Sequence, residues 1–160
     1  MNILYCGDKP MQKGILLSSM SLIKNVDEPL NIYILTVDYS EKGINYKPVD
    51  KVFAKYLEEK LNKSDIKVNV FLVDVTRYFV EELPEANMQS RFTACCMLRL
   101  FADKTDIKER VLYLDTDVLC RRDFRNFYYQ NMDGIEIAGV SDYYGKWLFG
   151  DGYINSGVML

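Results

Sequence analysis

The sequence predicts one α/β domain with a mostly parallel sheet. Two observations carry this prediction: apolar runs alternate with amphipathic helical patterns, and no repeat, low-complexity tract or linker interrupts the 160 residues. Strands separated by helices form right-handed crossover units, and such units build a parallel sheet covered on both faces. The length suffices for one domain with a sizeable core.

The chain begins with a predicted strand and a predicted helix. Residues 2–6 form a short apolar run that ends at Gly7 and Asp8, which indicates a buried strand followed by a loop. Pro10 suits the first turn of a helix that continues to about Lys24.

The next predicted elements are two strands with a helix between them. The strands cover residues 31–37 and 67–73, and Pro48 opens the helix. Apolar residues recur in the helix at helical spacing, while Lys and Glu occupy the opposite side. These apolar residues are Val49, Val52, Phe53, Tyr56, Leu57 and Leu61.

The second half contains a loop with Pro84, a helix from about Phe92 to Ala102, and further strands. These strands are predicted at residues 111–114, 135–140 and 153–160. The last one reaches the end of the sequence without a turn. We therefore expect residues 1–160 to form a single domain that is incomplete at its C-terminal end.

Polar residues that follow the strands are the first candidates for a binding site. In open parallel sheets, ligands bind outside the carboxyl ends of the strands. This rule selects Asp8 with its neighbour Gly7, Asp38, Asp74, and the pair Asp115 and Asp117.

Charge and residue content exclude several classes of protein. The net charge is −3, and the densest basic cluster, Arg121 with Arg122, is followed at once by Asp123, so nucleic acid is not expected as a partner. The sequence has no histidine, which excludes Ser-His-Asp and Cys-His nucleophile systems within this chain. A bound metal must therefore be held by oxygen ligands, which favours Mn²⁺ or Mg²⁺ over zinc.

The cysteines and the hydropathy of the sequence indicate in which cellular compartment the protein is expected. The four cysteines have no C-x-x-C spacing and lie in apolar surroundings, which suits a reducing environment. No stretch approaches the roughly 18 apolar residues of a membrane-spanning helix. We expect a soluble, cytoplasmic protein without a transmembrane segment; peripheral attachment to the inner membrane would come through regions outside this sequence.

An Asp-Thr-Asp motif after the strand at 111–114 is the main chemical signal. In a fully extended strand Asp115 and Asp117 would point to opposite faces, so the chain must turn for both carboxylates to reach one ion. A solvated turn after a core strand explains the same residues. So does the nucleophile loop of a haloacid-dehalogenase-type phosphatase, although Leu119 and the late position of the motif disfavour it.

Five segments together resemble one family in their order and spacing. They are Ile3 to Asp8, Met97 to Leu100, Val111 to Leu119, Gly139 to Asp142, and Tyr153 to Leu160 with its N-S-G-V-M-L run. The family is glycosyltransferase family 8, retaining enzymes that include lipopolysaccharide galactosyltransferases and glycogenin. The resemblance implies a Rossmann-like nucleotide-sugar-binding domain of the GT-A type, of which this chain is an N-terminal portion.

The resemblance also implies which residues bind the nucleotide and the metal. Asp8 would accept hydrogen bonds from the uracil or ribose of a UDP-sugar. Arg99 would bind the diphosphate or the donor sugar, because a guanidinium matches phosphate oxygens; Arg91 is a weaker alternative. Asp115 and Asp117 would hold Mn²⁺ or Mg²⁺, and Asp115 would also contact the ribose.

The donor sugar would be bound by a second group of residues. Asp142 and Asn155 would hydrogen-bond its hydroxyls, and Ser156 and Gly157 complete the motif, with the glycine allowing close backbone approach. Three aromatic residues that follow Asp142, in what should be a loop over the donor, are candidates for a sugar-stacking wall. They are Tyr143, Tyr144 and Trp147.

The implied activity is transfer of a hexose, galactose or glucose, from a UDP-sugar to a glycan, a lipopolysaccharide-type acceptor or another hydroxyl, with retention and with a metal ion. No residue is assigned as a catalytic nucleophile. The family's third metal ligand, a histidine in a later motif, has no counterpart in this sequence. A non-catalytic nucleotide-binding or interaction module is the alternative.

Overall fold

The computed structural model describes residues 1–41, 43–82, 94–107 and 110–160. The strands are β1 (Asn2–Cys6), β2 (Leu30–Thr36), β3 (Tyr39–Glu41), β4 (Ile44–Tyr46), β5 (Val68–Asp74), β6 (Leu112–Leu114), β7 (Gly139–Ser141) and β8 (Ile154–Met159). The α-helices are α1 (Gln12–Ile23), α2 (Lys51–Leu61), α3 (Thr76–Glu81), α4 (Arg125–Tyr128) and α5 (Gly145–Phe149), and 3-10 helices cover Lys9–Met11 and Ala94–Lys104.

Six strands form one sheet in the order β5-β2-β1-β6-β8-β7. The first four are parallel to one another, β8 is antiparallel to β6, and β7 is antiparallel to β8. The α/β class and the mostly parallel sheet are therefore confirmed. Because β1 has β2 on one side and β6 on the other, the strand order reverses there, and a crevice opens at the carboxyl ends of β1 and β6.

Helices cover both faces of this sheet. On one face, α1 and α2 pack against side chains such as Ile3 and Tyr5 of β1. On the other face, α3 and the 3-10 helix Ala94–Lys104 pack against Leu4 and Cys6. All five residues of β1 are buried, as a central strand with two covered faces requires.

Helix α2 buries a narrower stripe than the sequence predicts. Val52 is 81% exposed and Tyr56 is 48% exposed, whereas Leu57 and Leu61 are fully buried. Successive helical residues are rotated by about 100°, so positions 52 and 56 lie well to one side of the stripe through 53, 57 and 61. Ala54, which the sequence analysis did not select, is buried instead.

Three further local features differ from expectation. The strand predicted at residues 135–140 is confined to Gly139–Ser141, because a turn closes from Met132 to Ile135. The antiparallel hairpin of β3 and β4, with Gly43 at a φ of +80°, was not predicted. The helix predicted from about Phe92 is a 3-10 helix over Ala94–Lys104.

The predicted loop with Pro84 and the candidate Arg91 lie outside the described residues. Among the residues that the structure describes, none of the helices has the length and apolar character needed to cross a bilayer.

Candidate functional site

Asp8 lies in the loop that leaves β1 at the crevice. The Gly7 N–H continues the sheet by donating to the Leu35 carbonyl at 3.0 Å, and the Lys9 N–H donates to Lys47 beyond the hairpin at 2.8 Å. Asp8 itself is only 8% exposed. Desolvation raises the pKa of its carboxyl above the usual value. The structure thus holds a largely buried acceptor at the end of β1, with no ion pair to another described residue.

The Asp-Thr-Asp motif forms a tight turn at the end of β6. The Val118 N–H donates to the Asp115 carbonyl at 3.1 Å, which places Thr116 and Asp117 at the centre of the turn. Helix α1 touches this turn closely, since a β-carbon on Gly14 would lie 2.5 Å from the Thr116 carbonyl oxygen. The predicted turn is therefore present. Asp117 is exposed and makes no hydrogen bond or ion pair with another described residue.

Arg99 reaches from the 3-10 helix Ala94–Lys104 to the same edge of the sheet. Its Nη1 donates to the Ser156 carbonyl and its Nε to the Cys96 carbonyl, both at 2.5 Å. The guanidinium lies 4.2 Å from the ring centre of Tyr113, and Nη2 lies 3.8 Å from Asp115 Oδ1. With its side chain only 14% exposed, Arg99 places a positive charge beside the Asp115 carboxylate.

Both the backbone and the side chain of Asp115 are held by hydrogen bonds. Its backbone N–H donates to the Gly157 carbonyl at 2.8 Å, in continuation of the β6–β8 pairing. The Tyr113 hydroxyl donates a hydrogen bond to Oδ1. Burial raises the pKa of that hydroxyl far above its ordinary value, so it remains a donor at any physiological pH.

Asp142 and Asn155 face each other across β7 and β8. Asn155 Nδ2 donates to Asp142 Oδ2 at 3.3 Å, and the Gly145 N–H donates to Asp142 Oδ1 at 2.6 Å. The backbone N–H of Gly145 is the main cause that lowers the pKa of Asp142. Asn155 Oδ1 also accepts from the Gly157 N–H at 2.9 Å. The pair offers a carboxylate and an amide suited to sugar hydroxyls.

These contacts join most of the predicted site residues into one network. Arg99 contacts Ser156 and Asp115, Asp115 contacts Gly157, and Asn155 links Gly157 to Asp142. Asp8 and Asp117 have no described hydrogen bond to this network, although both follow the two strands that flank the crevice.

The other two candidate aspartates lie at or just after the ends of β2 and β5, which are separated from β6 by β1. Asp38 forms an ion pair with Lys47 at 3.5 Å. Asp74 Oδ1 accepts from the Thr76 N–H at 2.9 Å, beside the start of α3. Both side chains therefore have local structural partners, and neither belongs to the crevice between β1 and β6.

The sequence analysis did not select Tyr113. A signal for it existed, because residues two apart in a strand lie on the same face, and Tyr113 precedes Asp115 by two.

The three aromatic residues proposed as a stacking wall are all strongly exposed, with Trp147 at 89%.

The donor atoms of Asp115 and Asp117 suit a hard divalent cation. Among the described residues, no group of three or more His, Cys, Asp or Glu side chains converges on one point. The two carboxylates nevertheless supply the oxygen ligands that Mg²⁺ and Mn²⁺ prefer. Space is also present, since a β-carbon on Gly157 would lie 3.0 Å from Asp115 Oδ2, where a side chain would crowd an ion. Two carboxylates leave further coordination positions of such an ion open to water or to a bound ligand.

Solved glycosyltransferases share this fold. Galactosyltransferase LgtC, in a complex with donor and acceptor sugar analogs, matches with a TM-score of 0.79 at 18% identity, over 99% of this chain and 56% of LgtC. The apo form of GlyE from Streptococcus pneumoniae matches with 0.67 at 18% identity, over 99% and 33% of the two chains. The bifunctional glycosyltransferase WbbM, also apo, matches with 0.73 at 16% identity, over 99% and 30%.

At these identities the similarity establishes the fold, which is the GT-A type of α/β fold. The chain spans from about a third to just over half of the length of these proteins. No curated protein gives a significant sequence match. The model of Glycosyl transferase family 8 matches residues 2–157, which is almost the entire chain and includes every residue of the network described above. This chain belongs to glycosyl transferase family 8.

Proposed function

We propose that this chain is the nucleotide-sugar-binding domain of a metal-dependent retaining glycosyltransferase. The donor is a UDP-hexose, with galactose or glucose as the sugar, and the acceptor is a hydroxyl of a glycan or lipopolysaccharide-type molecule. The proposal rests on family membership and on one observation in particular: the Asp-Thr-Asp turn stands at the crevice between β1 and β6, where α/β sheets of this kind bind ligands.

Different residues at the crevice are proposed to bind different parts of the donor. Asp8, buried at the end of β1, suits the uracil N3–H or a ribose hydroxyl, because its carboxylate is hydrogen-bonded only to its own backbone N–H among the described residues and can accept further hydrogen bonds. Asp115 and Asp117 would hold a divalent ion, which would supply positive charge for binding the diphosphate. Asp142 and Asn155, already hydrogen-bonded to each other, are placed to bind the hydroxyls of the sugar.

The reaction separates a sugar from UDP, so negative charge grows on the departing diphosphate. A bound Mn²⁺ or Mg²⁺ would act as a Lewis acid that neutralises this charge. Arg99 contributes a further positive charge close to Asp115, and its contact with the Ser156 carbonyl holds the guanidinium in place. Fixed charges of this kind stabilise a transition state without reorganising at the moment of reaction.

Retention of configuration has two chemical routes. A double displacement needs a carboxylate on the back face of the sugar, as in retaining glycosidases. We assign no described residue to that role, and a same-face substitution requires none. We assign no described residue to the acceptor, and the chain covers 56% of LgtC, whose structure contains an acceptor sugar analog.

The first experiment is calorimetric titration of UDP into the chain, once with Mn²⁺ and once with EDTA. We expect tighter binding with Mn²⁺. Asp117→Asn should lose the Mn²⁺-dependent part, because it removes an exposed ligand with no described structural partner. Asp65→Asn is the matched control, since Asp65 is another exposed aspartate, located before β5 at the opposite edge of the sheet.

Three results would contradict parts of the proposal. A folded chain that binds no UDP contradicts the nucleotide site, and equal affinities in Mn²⁺ and EDTA contradict the metal site. Metal-dependent binding without sugar transfer by the longer protein would favour the alternative of a non-catalytic nucleotide-binding module. Family membership leaves the haloacid-dehalogenase-type phosphatase without support.

We assign the protein to the cytoplasm. Cys6, Cys96 and Cys120 are free thiols, and Cys6 and Cys95 are buried in the core, which suits a reducing compartment.

A further inference from the structure

We infer that Tyr113 is a positioning residue that fixes the rotamer of Asp115, so that Oδ1 is held by the protein and Oδ2 is left for the metal ion. This inference rests on the proposed function, because it concerns the same metal site. It adds a residue to which the sequence analysis gave no role.

The two oxygens of Asp115 have different surroundings. Oδ1 accepts a hydrogen bond from the Tyr113 hydroxyl, the only hydrogen bond to this oxygen among the described residues. Arg99 Nη2 lies 3.8 Å from the same Asp115 Oδ1 atom, which is longer than a hydrogen bond. Oδ2 instead faces Gly157, which has no side chain to fill the space. Oδ2 accepts no hydrogen bond from a described residue, and the Asp115 side chain is 40% exposed, so this oxygen remains accessible to an ion.

Tyr113 is well fixed, so it can impose its geometry on Asp115. It is 5% exposed, and it lies in the middle of β6, paired with Leu4 of β1 on one side and Met159 of β8 on the other. The Arg99 guanidinium lies over its ring. A buried ring between two paired strands leaves its hydroxyl little freedom to move.

The strand geometry brings the two side chains together. Residues 113 and 115 lie two apart and therefore point to the same side of the chain. The backbone N–H of Asp115 is also tied to the Gly157 carbonyl at 2.8 Å, which fixes the Cα position. With backbone and Oδ1 both held, rotation about the side-chain bonds of Asp115 is restricted.

A restricted carboxylate binds a metal ion better than a mobile one. Groups that hydrogen-bond to metal ligands orient them, and removing such a partner typically lowers metal affinity by about 10–100-fold. Asp117, which has no described partner, lacks this restraint. Asp115 is therefore the preorganised ligand of the pair, and Asp117 is the one that adapts to the ion.

The test compares Tyr113→Phe with Tyr5→Phe. Tyr5 is also a buried tyrosine with one side-chain hydrogen bond, to Ser18 Oγ at 2.8 Å, but it lies on the other face of the sheet. Each variant loses one buried hydroxyl and keeps its ring. Mn²⁺ binding in the presence of UDP is measured by electron paramagnetic resonance, and UDP binding in EDTA by calorimetry. Urea unfolding curves are measured for both variants and the unchanged protein, and binding is compared under conditions in which all three are folded.

We expect Tyr113→Phe to weaken Mn²⁺ binding about ten-fold and to weaken UDP binding in EDTA much less, because only the contact of Asp115 with the ribose acts there. Tyr5→Phe should change neither. Mn²⁺ binding by Tyr113→Phe within twofold of the unchanged protein would overturn the inference and leave the proposed function intact. An equal loss in EDTA would overturn it as well, because it would indicate a general structural role. Absence of Mn²⁺-dependent UDP binding by the unchanged protein would overturn the proposed function and this inference together.

Discussion

Replacing Gly157 with alanine tests whether Asp115 Oδ2 is the oxygen that faces the metal. A β-carbon at position 157 would lie 3.0 Å from Asp115 Oδ2 and 3.1 Å from Asn155 Oδ1. Ordinary contacts of a β-carbon begin at 3.4 Å, so both side chains must retreat by a few tenths of an ångström. Gly157 does not have a positive φ, so its backbone conformation accepts alanine.

The effect on stability should be small because two contributions oppose each other. Pushing a side chain away from its preferred rotamer costs about 0.5–1.5 kcal/mol, and two side chains are affected here. Replacing glycine by alanine restricts the unfolded chain and stabilises the protein by about 0.4–1 kcal/mol. We expect a net loss of about 1 kcal/mol in the free energy of unfolding.

The effect on binding should be larger. Metal sites need their ligands held within roughly 0.5 Å of the productive geometry. A methyl group beside Oδ2 both displaces this oxygen and occupies the space next to it. We expect Mn²⁺-dependent UDP affinity to fall about ten-fold, with UDP binding in EDTA unchanged.

Gly152→Ala is the matched control. Nothing lies within 4 Å of a β-carbon at position 152, and this glycine also lacks a positive φ. The control should be slightly stabilised, with unchanged binding. Both variants are measured by urea unfolding and by calorimetry with Mn²⁺ and EDTA. If Gly157→Ala binds UDP with Mn²⁺ as tightly as Gly152→Ala does, Asp115 Oδ2 does not face the ion.

Two further predictions concern the elements that carry the site. Gly14→Ala should lower the free energy of unfolding by about 1–2 kcal/mol in urea titrations, because overpacking against the Thr116 carbonyl, 2.5 Å away, exceeds the gain of about 1 kcal/mol in helix propensity; a stabilised variant would contradict the close packing of α1 on the turn. Asp8→Asn should become more stable relative to the unchanged protein as the pH rises from about 4 to about 7. Burial raises the pKa of Asp8, so its contribution to stability is full below the unfolded pKa and is lost as the pH rises through the folded pKa, whereas asparagine does not ionise. A difference in urea midpoints that does not vary with pH would contradict this reasoning.

The central strands could be predicted from the sequence because their residues are buried on both faces. The run at residues 2–6 has no polar member except Asn2, and its predicted bounds coincide with those of β1. The runs at 31–37 and 67–73 differ from β2 and β5 by one residue at each end. Continuous apolar runs of this kind are typical of parallel strands under two layers of helices.

Elements at the margin of the fold were harder to predict. The hairpin of β3 and β4 has only three residues in each strand, too few for a periodic pattern. The apolar residues Ile135 and Ile137 suggested a longer β7, yet both are exposed and lie before the strand begins. Which apolar residues are covered depends on the neighbours that tertiary packing supplies, and these neighbours lie far away in the sequence.

The selection among the aspartates shows where sequence reasoning stops. Asp8, Asp38, Asp74 and Asp115 all lie at or just after the carboxyl ends of strands of the sheet, so the same rule selected all four. The difference between them is the strand order: β1 and β6 are neighbours at the point where that order reverses, whereas β2 and β5 lie beyond β1. Only the pairing of Ile3 with Leu112, more than a hundred residues apart, brings Asp8 and Asp115 to one crevice. A local sequence pattern does not show which distant strands pair. The candidate site can therefore be distinguished from the other strand ends only once the order of the strands in the sheet is known.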